Sequence, residues 1–290
     1  MLSLHSHLNM ISNICICGAG TMGTGIAQLA ASSALPTILY ELNGEVLEKA
    51  KKTIDSNLQL LVEKGKITPG QKEKIFRNVH FTNDLNECVA DIIIEAIIES
   101  TEAKIHLFSQ LATINADKTI LATNTSSLSV TSIASKILKP DRFLGMHFFN
   151  PAPIMKLVEI INTNYTNKQT TQVVSDLARQ MGKVPVVCKD SPGFIVNRIA
   201  RPYYIESLRL LEEGEVSLET IDTLLEGSGF KLGPFKLMDL IGNDINYSVS
   251  CSVYEQMNKP VRLMPSAIQK DKVEKGELGK KTGKGYYRYS

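Results

Sequence analysis

Four polar residues that can handle protons and hydroxyl groups interrupt otherwise apolar or regular segments of the sequence. His147 lies in FLGMHFF, Glu159 in MKLVEII, Ser126 in ATNTSSL and Asn197 in SPGFIVNR. A neutral imidazole readily accepts the proton of a hydroxyl group, and a carboxylate on its other ring nitrogen stabilises the imidazolium that forms. Serine and asparagine supply hydrogen-bond donors that polarise a carbonyl oxygen. The four residue types therefore suit chemistry that moves the proton of a hydroxyl group and stabilises a carbonyl oxygen.

Each of the four residues also has a structural explanation. A single histidine in a strand is commonly a buried and hydrogen-bonded core residue. Ser126 can be the N-cap of a helix that starts near Ser129. Asn197, in the middle of a predicted helix, can simply face water. Glu159 is harder to explain in this way, because a buried carboxylate is costly unless another group pairs with it.

The elements that would position these residues follow from the alternation of short apolar segments with amphipathic ones, which is typical of strand–helix–strand units around a parallel sheet. Strands are predicted over residues 13–17, 37–40, 91–96, 119–122, 143–148, 156–161 and 184–188. Between the second and third strands, apolar residues from Leu47 to Leu61 recur at helical spacing and predict one long helix with a lysine-rich outer face.

The pattern changes after Asp190. Ser191 and Pro192 are suited to be the N-cap and first residue of a helix, and helical patterns then continue to residue 275. The tail from residue 280 contains too much glycine for a helix. We therefore predict an α/β fold with a Rossmann-type, doubly wound, mostly parallel sheet over residues 1–190, followed by a smaller all-helical domain over residues 191–290.

A glycine-rich segment, GAGTMG, lies between the first predicted strand and the helical sequence GIAQLAA. It comprises Gly18, Gly20, Thr21, Met22 and Gly23, and in this context it predicts a turn that brings the backbone to a pyrophosphate at the helix N-terminus. The alternative is a glycine-rich turn that binds nothing. Glu41 ends the next strand, where it would accept hydrogen bonds from a ribose diol and repel a 2'-phosphate, which favours NAD over NADP.

Composition excludes several classes of partner. The chain has 32 lysines and arginines against 30 acids, a net charge of +2, so no overall field attracts nucleic acid or an anionic membrane. The apolar segments are far shorter than the roughly 20 residues that cross a bilayer. Residues 1–12 lack the features of a secretory or transit signal and are interpreted as a short extension. The five cysteines lack CxxC spacing, which favours buried apolar roles, no metal site and a reducing cytoplasm.

The strings GAGTMG, EAIIES, NTSSLS, HFFNPAPIMKLVEII, DSPGFIVNR and KTGKGYYRY, in this order, resemble the motifs of the L-3-hydroxyacyl-CoA dehydrogenase family over nearly the whole chain. The resemblance implies NAD-dependent oxidation of a (3S)-3-hydroxyacyl-CoA to a 3-oxoacyl-CoA, and the reverse reduction. It implies that His147 is the catalytic base and Glu159 its orienting partner. Ser126 and Asn197 would hold the 3-oxygen and the thioester arm of the substrate.

The resemblance also implies contacts for the two ligands. Those beside NAD are Glu99, Lys104, Asn150 and Lys281. Those beside the acyl-CoA are Asn57, Lys64 and Ser126, and Ser126 would contact both ligands. The chain is similar in length to stand-alone members that act on 3-hydroxybutyryl-CoA in fatty acid metabolism, which implies a short acyl chain, and the family's helical domain implies a homodimer.

Two alternatives stay open at the level of sequence. The substrate could be bound to an acyl carrier protein rather than CoA, or the chain could be a non-catalytic binding protein, although retention of both His147 and Glu159 argues against the second. Two segments of the helical domain depart from the family pattern. The family's GPFE is GPFK over residues 233–236, and its GLD is GND over residues 242–244. In the family this domain shapes the acyl pocket, so the acyl preference stays open.

Overall fold

The structure is a computed structural model that describes residues 11–289. In this range the chain forms one eight-stranded sheet with the order β3-β2-β1-β4-β5-β6-β7-β8. The strands are β1 (Ile14–Cys17), β2 (Thr37–Tyr40), β3 (Val79–Thr82), β4 (Ile92–Glu95), β5 (Ile120–Thr123), β6 (Phe143–Phe148), β7 (Leu157–Asn162) and β8 (Val184–Lys189). All neighbours pair in parallel except β6 and β7, which are antiparallel. The predicted α/β class is therefore confirmed.

Helices cover both faces of the sheet, as a doubly wound fold requires. They are α1 (Thr21–Ser32), α2 (Gly44–Glu63), α3 (Pro69–Arg77), α4 (Thr101–Ile114), α5 (Val130–Ala134) and α6 (Lys168–Gln180). On one face Ile16 belongs to the same core cluster as Ile26 of α1 and Val174 of α6. On the other face Phe108 of α4 meets Phe143 of β6 edge to face, with 5.0 Å between ring centroids.

The seven predicted strands agree with the observed ones to within one residue at each end, and the long predicted helix is α2, which buries Ala50, Ile54 and Leu58. The sequence did not predict β3. This strand has only four residues, VHFT, and it lies at the edge of the sheet with His80 exposed. An edge strand needs no continuous apolar pattern, because one side and part of its faces meet solvent.

The chain divides into two compact units between Asp190 and Ser191. The second unit contains α7 (Val196–Glu212), α8 (Leu218–Gly227), α9 (Pro234–Ile241), α10 (Asn243–Gln256) and α11 (Ala267–Glu274). The predicted helix start at Ser191 and Pro192 is wrong. Phe194 has a φ of 49° after Gly193 at 73°, and this left-handed backbone cannot continue a helix, so α7 begins at Val196.

The core of the helical unit contains Tyr204, Leu208, Ile221, Phe235 and Met238. Its C-terminal tail is attached by Asp239, which accepts hydrogen bonds from the backbone N–H of Tyr286 and from the hydroxyl of Tyr289, each at 2.9 Å. Within residues 11–289, no helix is long and apolar enough to span a membrane. The interpretation of residues 1–12 concerns mainly residues 1–10, which lie outside the described residues.

Candidate active site

Five of the predicted site residues of the first unit lie at one edge of the sheet. Gly18 follows β1, Glu41 follows β2, Glu99 lies beyond β4 and Ser126 lies beyond β5. His147 is the last residue but one of β6. These strands are parallel, so their carboxyl ends share one edge. Open α/β sheets bind their ligands at this edge.

The structure brings His147 and Glu159 directly opposite each other in the antiparallel pair of β6 and β7. The Nδ1 atom of His147 lies 2.7 Å from Oε2 of Glu159, and the two side chains are only 7% and 1% exposed. The ring of Phe149 packs on the imidazole with 4.6 Å between centroids. Asn124 accepts a hydrogen bond from the backbone N–H of Phe148 at 2.8 Å, which joins β6 to the segment after β5. These contacts fix one orientation of the imidazole.

A second buried ion pair lies at the same edge, where Lys104 of α4 reaches Glu95, the last residue of β4. Nζ of Lys104 is 2.5 Å from Oε1 of Glu95, and the side chains are 1% and 0% exposed. Glu95 also accepts hydrogen bonds from the hydroxyl of Thr123 at 2.7 Å and the backbone N–H of Ile97 at 2.8 Å. Burial raises the pKa of the Glu95 carboxyl, and the Lys104 ammonium opposes that rise.

The same lysine contacts Glu99, with 3.2 Å between Nζ and Oε2. The other oxygen of Glu99 accepts hydrogen bonds from the Thr125 hydroxyl, from the backbone N–H of Ser126 at 3.2 Å and from the Ser127 hydroxyl at 3.0 Å. Burial raises the pKa of Glu99, but the Lys104 ammonium and these hydroxyl groups outweigh it and lower the pKa overall. A continuous chain of contacts thus runs from Glu95 to the backbone of Ser126.

The proposed structural role of Ser126 as an N-cap is wrong. Ser129 caps α5, because its hydroxyl accepts the hydrogen bond from the backbone N–H of Ser132 at 3.2 Å. Glu95 is the residue that the sequence analysis missed. An acid at the end of the apolar segment IIIE carried the same signal as Glu159, namely a carboxylate that burial makes costly unless a partner is present.

The turn between β1 and α1 can receive a dinucleotide phosphate. Gly18 has a φ of 104°, and a Cβ there would lie 2.6 Å from the carbonyl oxygen of Ala96, so a larger residue does not fit. A Cβ on Gly20 would meet nothing within 4 Å, which leaves the backbone open to a ligand. No side chain among the described residues caps α1, whose first turn contains Thr21, Met22 and Gly23. The N–H groups at this helix start therefore suit an anion.

Glu41 lies beside this turn. Its carboxylate accepts hydrogen bonds from the backbone N–H of Ala19 at 2.9 Å and of Asn43 at 3.1 Å. The acid is therefore held at the end of β2, next to the glycine-rich turn, by the backbone on both sides. This geometry fits the ribose of a dinucleotide whose pyrophosphate occupies the turn.

Three other predicted contacts of this unit are at the surface. Asn57 is exposed on α2 and donates a hydrogen bond to Oε1 of Gln28 at 3.0 Å. Lys64 is exposed at the end of the same helix, seven residues or about two turns further on. Asn150 is exposed in the segment after β6. The predicted CoA contacts of α2 are thus exposed, whereas the His147–Glu159 pair is buried.

Asn197 and Lys281 belong to the helical unit. Asn197 is half-buried in the first turn of α7 rather than in the middle of a helix, and its carbonyl accepts a hydrogen bond from Nε of Arg201 at 3.1 Å. Lys281 pairs with both carboxylate oxygens of Asp244, each at 2.7 Å. Asp244 directly follows Asn243, the residue at which GND departs from the family pattern GLD, so a predicted NAD contact pairs with the neighbour of that departure.

The topology, the glycine-rich turn and the edge of the sheet where polar residues gather define the class of NAD-dependent oxidoreductases with a Rossmann-type domain. Residues 13–191 match the NAD binding domain of 3-hydroxyacyl-CoA dehydrogenase, and residues 193–289 match its C-terminal domain. The chain therefore belongs to the 3-hydroxyacyl-CoA dehydrogenase family, and its cofactor is NAD.

Individual relatives support the same assignment. The chain is 43% identical to 3-hydroxyadipyl-CoA dehydrogenase of Escherichia coli over 96% of its own length, but it spans only 59% of that protein. It is 39% identical to the mitochondrial hydroxyacyl-coenzyme A dehydrogenase of Sus scrofa, with 97% of this chain and 92% of the relative covered. The crystal structure of (S)-3-hydroxybutyryl-CoA dehydrogenase from Ralstonia eutropha is 37% identical, with a TM-score of 0.92 over 97% of this chain and 99% of that one.

Proposed function

We propose that the protein catalyses the reversible NAD-dependent oxidation of a short (3S)-3-hydroxyacyl-CoA, such as 3-hydroxybutyryl-CoA, to the 3-oxoacyl-CoA. The observation that carries this proposal is the buried hydrogen bond between His147 and Glu159, at the ligand-binding edge of a sheet that also presents the glycine-rich turn. The relatives compared above are named for CoA thioesters, so we favour CoA over an acyl carrier protein.

In the proposed mechanism, His147 accepts the proton of the substrate 3-hydroxyl at Nε2, because Nδ1 is directed to Glu159. The Glu159 carboxylate stabilises the imidazolium and fixes the orientation of the ring. When bound, NAD supplies the acceptor for the hydride that leaves C3. In the reverse direction the imidazolium returns the proton, and Ser126 and Asn197 hold the 3-oxygen and the thioester arm.

The remaining proposed contacts support the two ligands. The proposed contacts of NAD are Gly18, Gly20, Thr21, Met22, Gly23, Glu41, Glu99, Lys104, Asn150 and Lys281. The proposed contacts of the acyl-CoA are Asn57, Lys64 and Ser126. The role of Lys104 is indirect in this proposal, because its ammonium is buried between Glu95 and Glu99. The exposed ammonium of Lys64, by contrast, suits a phosphate of CoA.

We further propose a homodimer formed through the helical unit, and a cytoplasmic location. Exposed apolar side chains such as Ile199 and Ile245, which are 72% and 51% exposed, support an association surface on that unit. The five cysteines are free, which is compatible with a reducing compartment. Light scattering on the purified protein tests the dimer.

The test of the proposed activity is the oxidation of NADH by the protein with acetoacetyl-CoA, followed by absorbance. We expect rapid turnover with NADH and much slower turnover with NADPH, because Glu41 would meet the 2'-phosphate.

Acetoacetyl-pantetheine, which lacks the nucleotide phosphates, should have a higher KM than acetoacetyl-CoA. Replacing Lys64 by alanine should raise the KM for acetoacetyl-CoA and leave that for the pantetheine ester unchanged. Turnover only with an acyl-carrier-protein thioester, or with neither ester, would refute the proposal.

A further inference from the structure

Three of the five cysteines form a cluster outside the proposed active site. Cys15 and Cys17 lie on β1, and Cys88 lies after the 3-10 turn Leu85–Glu87. All three are 0% exposed. Their sulfur atoms all lie within 4.8 Å of one another, and the sulfurs of Cys15 and Cys17 are 3.9 Å apart. The sequence spacing gave no sign of this cluster, because Cys88 is brought to β1 only by the fold.

The separations fit the coordination of one metal ion. Zinc–thiolate bonds of about 2.3 Å place two sulfurs at tetrahedral corners about 3.8 Å apart. Cys15 and Cys17 are two residues apart on a strand, so their side chains point to the same face with Cα atoms about 6.6 Å apart. Because the two Cβ atoms point the same way, they stay about as far apart as the Cα atoms, beyond the roughly 3.5–4.5 Å that a disulfide requires. The two thiols are therefore better suited to share an ion than to form a disulfide.

A short surface segment, residues 84–89, contains Cys88 and borders the buried cluster. Cys88 lies between Glu87 and Val89, which are both exposed, so this cysteine is buried directly beneath the surface. Asp84 and Glu87 belong to the same segment and supply negative charge at the entrance. Local opening of such a segment costs little compared with global unfolding, and it would admit a small cation.

We propose that Cys15, Cys17 and Cys88 form a three-thiolate binding site for a thiophilic divalent cation of the zinc and cadmium type. Thiolates select such ions over magnesium and calcium. Binding displaces the thiol protons to solvent, so a cation of charge +2 on three thiolates leaves a net charge of −1 in the cluster. This proposal departs from the expectation, based on the spacing of the cysteines, that the chain holds no metal.

The site is adjacent to the cofactor turn. Cys17 directly precedes Gly18, and its carbonyl oxygen accepts a hydrogen bond from the backbone N–H of Ala96 at 2.7 Å. The cluster is nevertheless distinct from the proton-handling pair, because β4 and β5 lie between β1 and β6 in the sheet. The proposal therefore does not depend on the dehydrogenase activity, and it can be tested without substrate.

The test is a titration of the reduced full-length protein with Cd²⁺, followed by the thiolate-to-cadmium absorption in the ultraviolet. We expect one tightly bound equivalent, displaceable by Zn²⁺, and the release of protons into a weakly buffered solution. The matched control is the double variant Cys188→Ser/Cys251→Ser, which removes the two cysteines outside the cluster and should bind as before. Loss of an outer-shell partner costs about 10- to 100-fold in metal affinity, so replacing Cys17 or Cys88 by serine should cost at least as much.

A measurement on the unchanged protein covers the case in which a cluster variant does not fold. The X-ray absorption spectrum of the protein with one equivalent of Cd²⁺ should show three sulfur neighbours around the metal. Each of three results would overturn the proposed metal site. They are fewer than three sulfur neighbours, loss of binding in the Cys188→Ser/Cys251→Ser control, and unchanged binding in a folded Cys88→Ser variant. Thermal melting with and without Cd²⁺ adds an independent readout, because a ligand that binds only the folded state raises Tm.

Discussion

The first unit contains two buried pairs, each of a carboxylate and a basic side chain, and the two pairs differ in whether the base is a histidine or a lysine. Glu159 meets His147 at 2.7 Å across two antiparallel strands, and Glu95 meets Lys104 at 2.5 Å between a strand and a helix. The four side chains are at most 7% exposed. An imidazole exchanges its proton near neutral pH, whereas an ammonium beside a carboxylate keeps its charge. The same arrangement can therefore transfer a proton in one place and only hold charge in another.

The connections of the two carboxylates sharpen this difference. Glu95 accepts hydrogen bonds from three partners, one of which is Lys104. Lys104 also pairs with Glu99, and Glu99 accepts a hydrogen bond from the backbone N–H of Ser126. His147 is instead packed by the ring of Phe149, near the end of its strand. We infer that Glu95 and Lys104 are positioning residues, and that the His147–Glu159 pair is the one that contacts the reacting atoms.

The largest expected effect is that of His147→Gln. Glutamine can donate and accept hydrogen bonds but cannot take up the substrate proton, so kcat should fall by about 10²- to 10⁴-fold, the usual contribution of general acid–base catalysis. NADH binding, measured by fluorescence titration, should stay within about twofold, because the glycine-rich turn is unchanged. A variant that retains most of its turnover would show that another group removes the proton.

Glu159→Gln should come next. The neutral amide cannot stabilise the imidazolium and also disturbs the preferred tautomer of His147, so kcat should again fall by orders of magnitude, as when the acid of a serine-protease triad is replaced. The informative measurement is the double variant with His147→Gln. Residues that act as a unit give strongly non-additive losses. A double variant slowed by the product of the two single effects would assign Glu159 to structure alone.

The sequence predicted one of these pairs and not the other, for a physical reason. His147 and Glu159 each interrupt an apolar strand, and two predicted neighbouring strands can bring them together. Lys104 lies on a helix whose pattern allows an exposed lysine, and only the packing of α4 against the sheet buries it. Glu95, an acid in an apolar segment, did carry a signal, but the sequence named no partner for it because Lys104 lies on a helix.

The same limit explains the other differences. Apolar alternation and turn residues predicted seven of the strands within residues 11–289, because burial of side chains follows directly from the sequence pattern. The start of α7 was wrong because the left-handed conformation of Phe194 is imposed by its surroundings and not by its residue type. The cysteine cluster depends on contacts between residues more than 70 positions apart, which spacing rules do not detect.

The smallest effect on turnover is expected for Glu95→Gln, which tests the second pair. Removing one partner of a buried ion pair typically costs about 3–5 kcal/mol of stability when the remaining charge is left uncompensated. Glu99 still pairs with Lys104 in this variant, so the loss should be smaller, but the variant should melt earlier. Lys104 would then have Glu99 as its remaining acidic partner among the contacts described above. The segment at Ser126, which is hydrogen-bonded to Glu99, should therefore become less well positioned. We expect KM for NADH and for acetoacetyl-CoA to rise about tenfold with a smaller change in kcat, because positioning costs less than loss of the proton acceptor.

A double variant separates positioning from stability. Glu95→Gln with Lys104→Met removes both charges, and replacing a buried pair by groups of similar volume is often neutral for stability. Its Tm should therefore recover, while both KM values should stay high, since Glu99 has lost the ammonium that lies 3.2 Å from its carboxylate. The pH profile of kcat should keep its shape in both variants, because His147 and Glu159, the proposed proton-transfer pair, are intact. Recovery of KM together with Tm would mean that Glu95 and Lys104 act on stability alone, and a shifted pH profile would mean that this pair takes part in the proton chemistry.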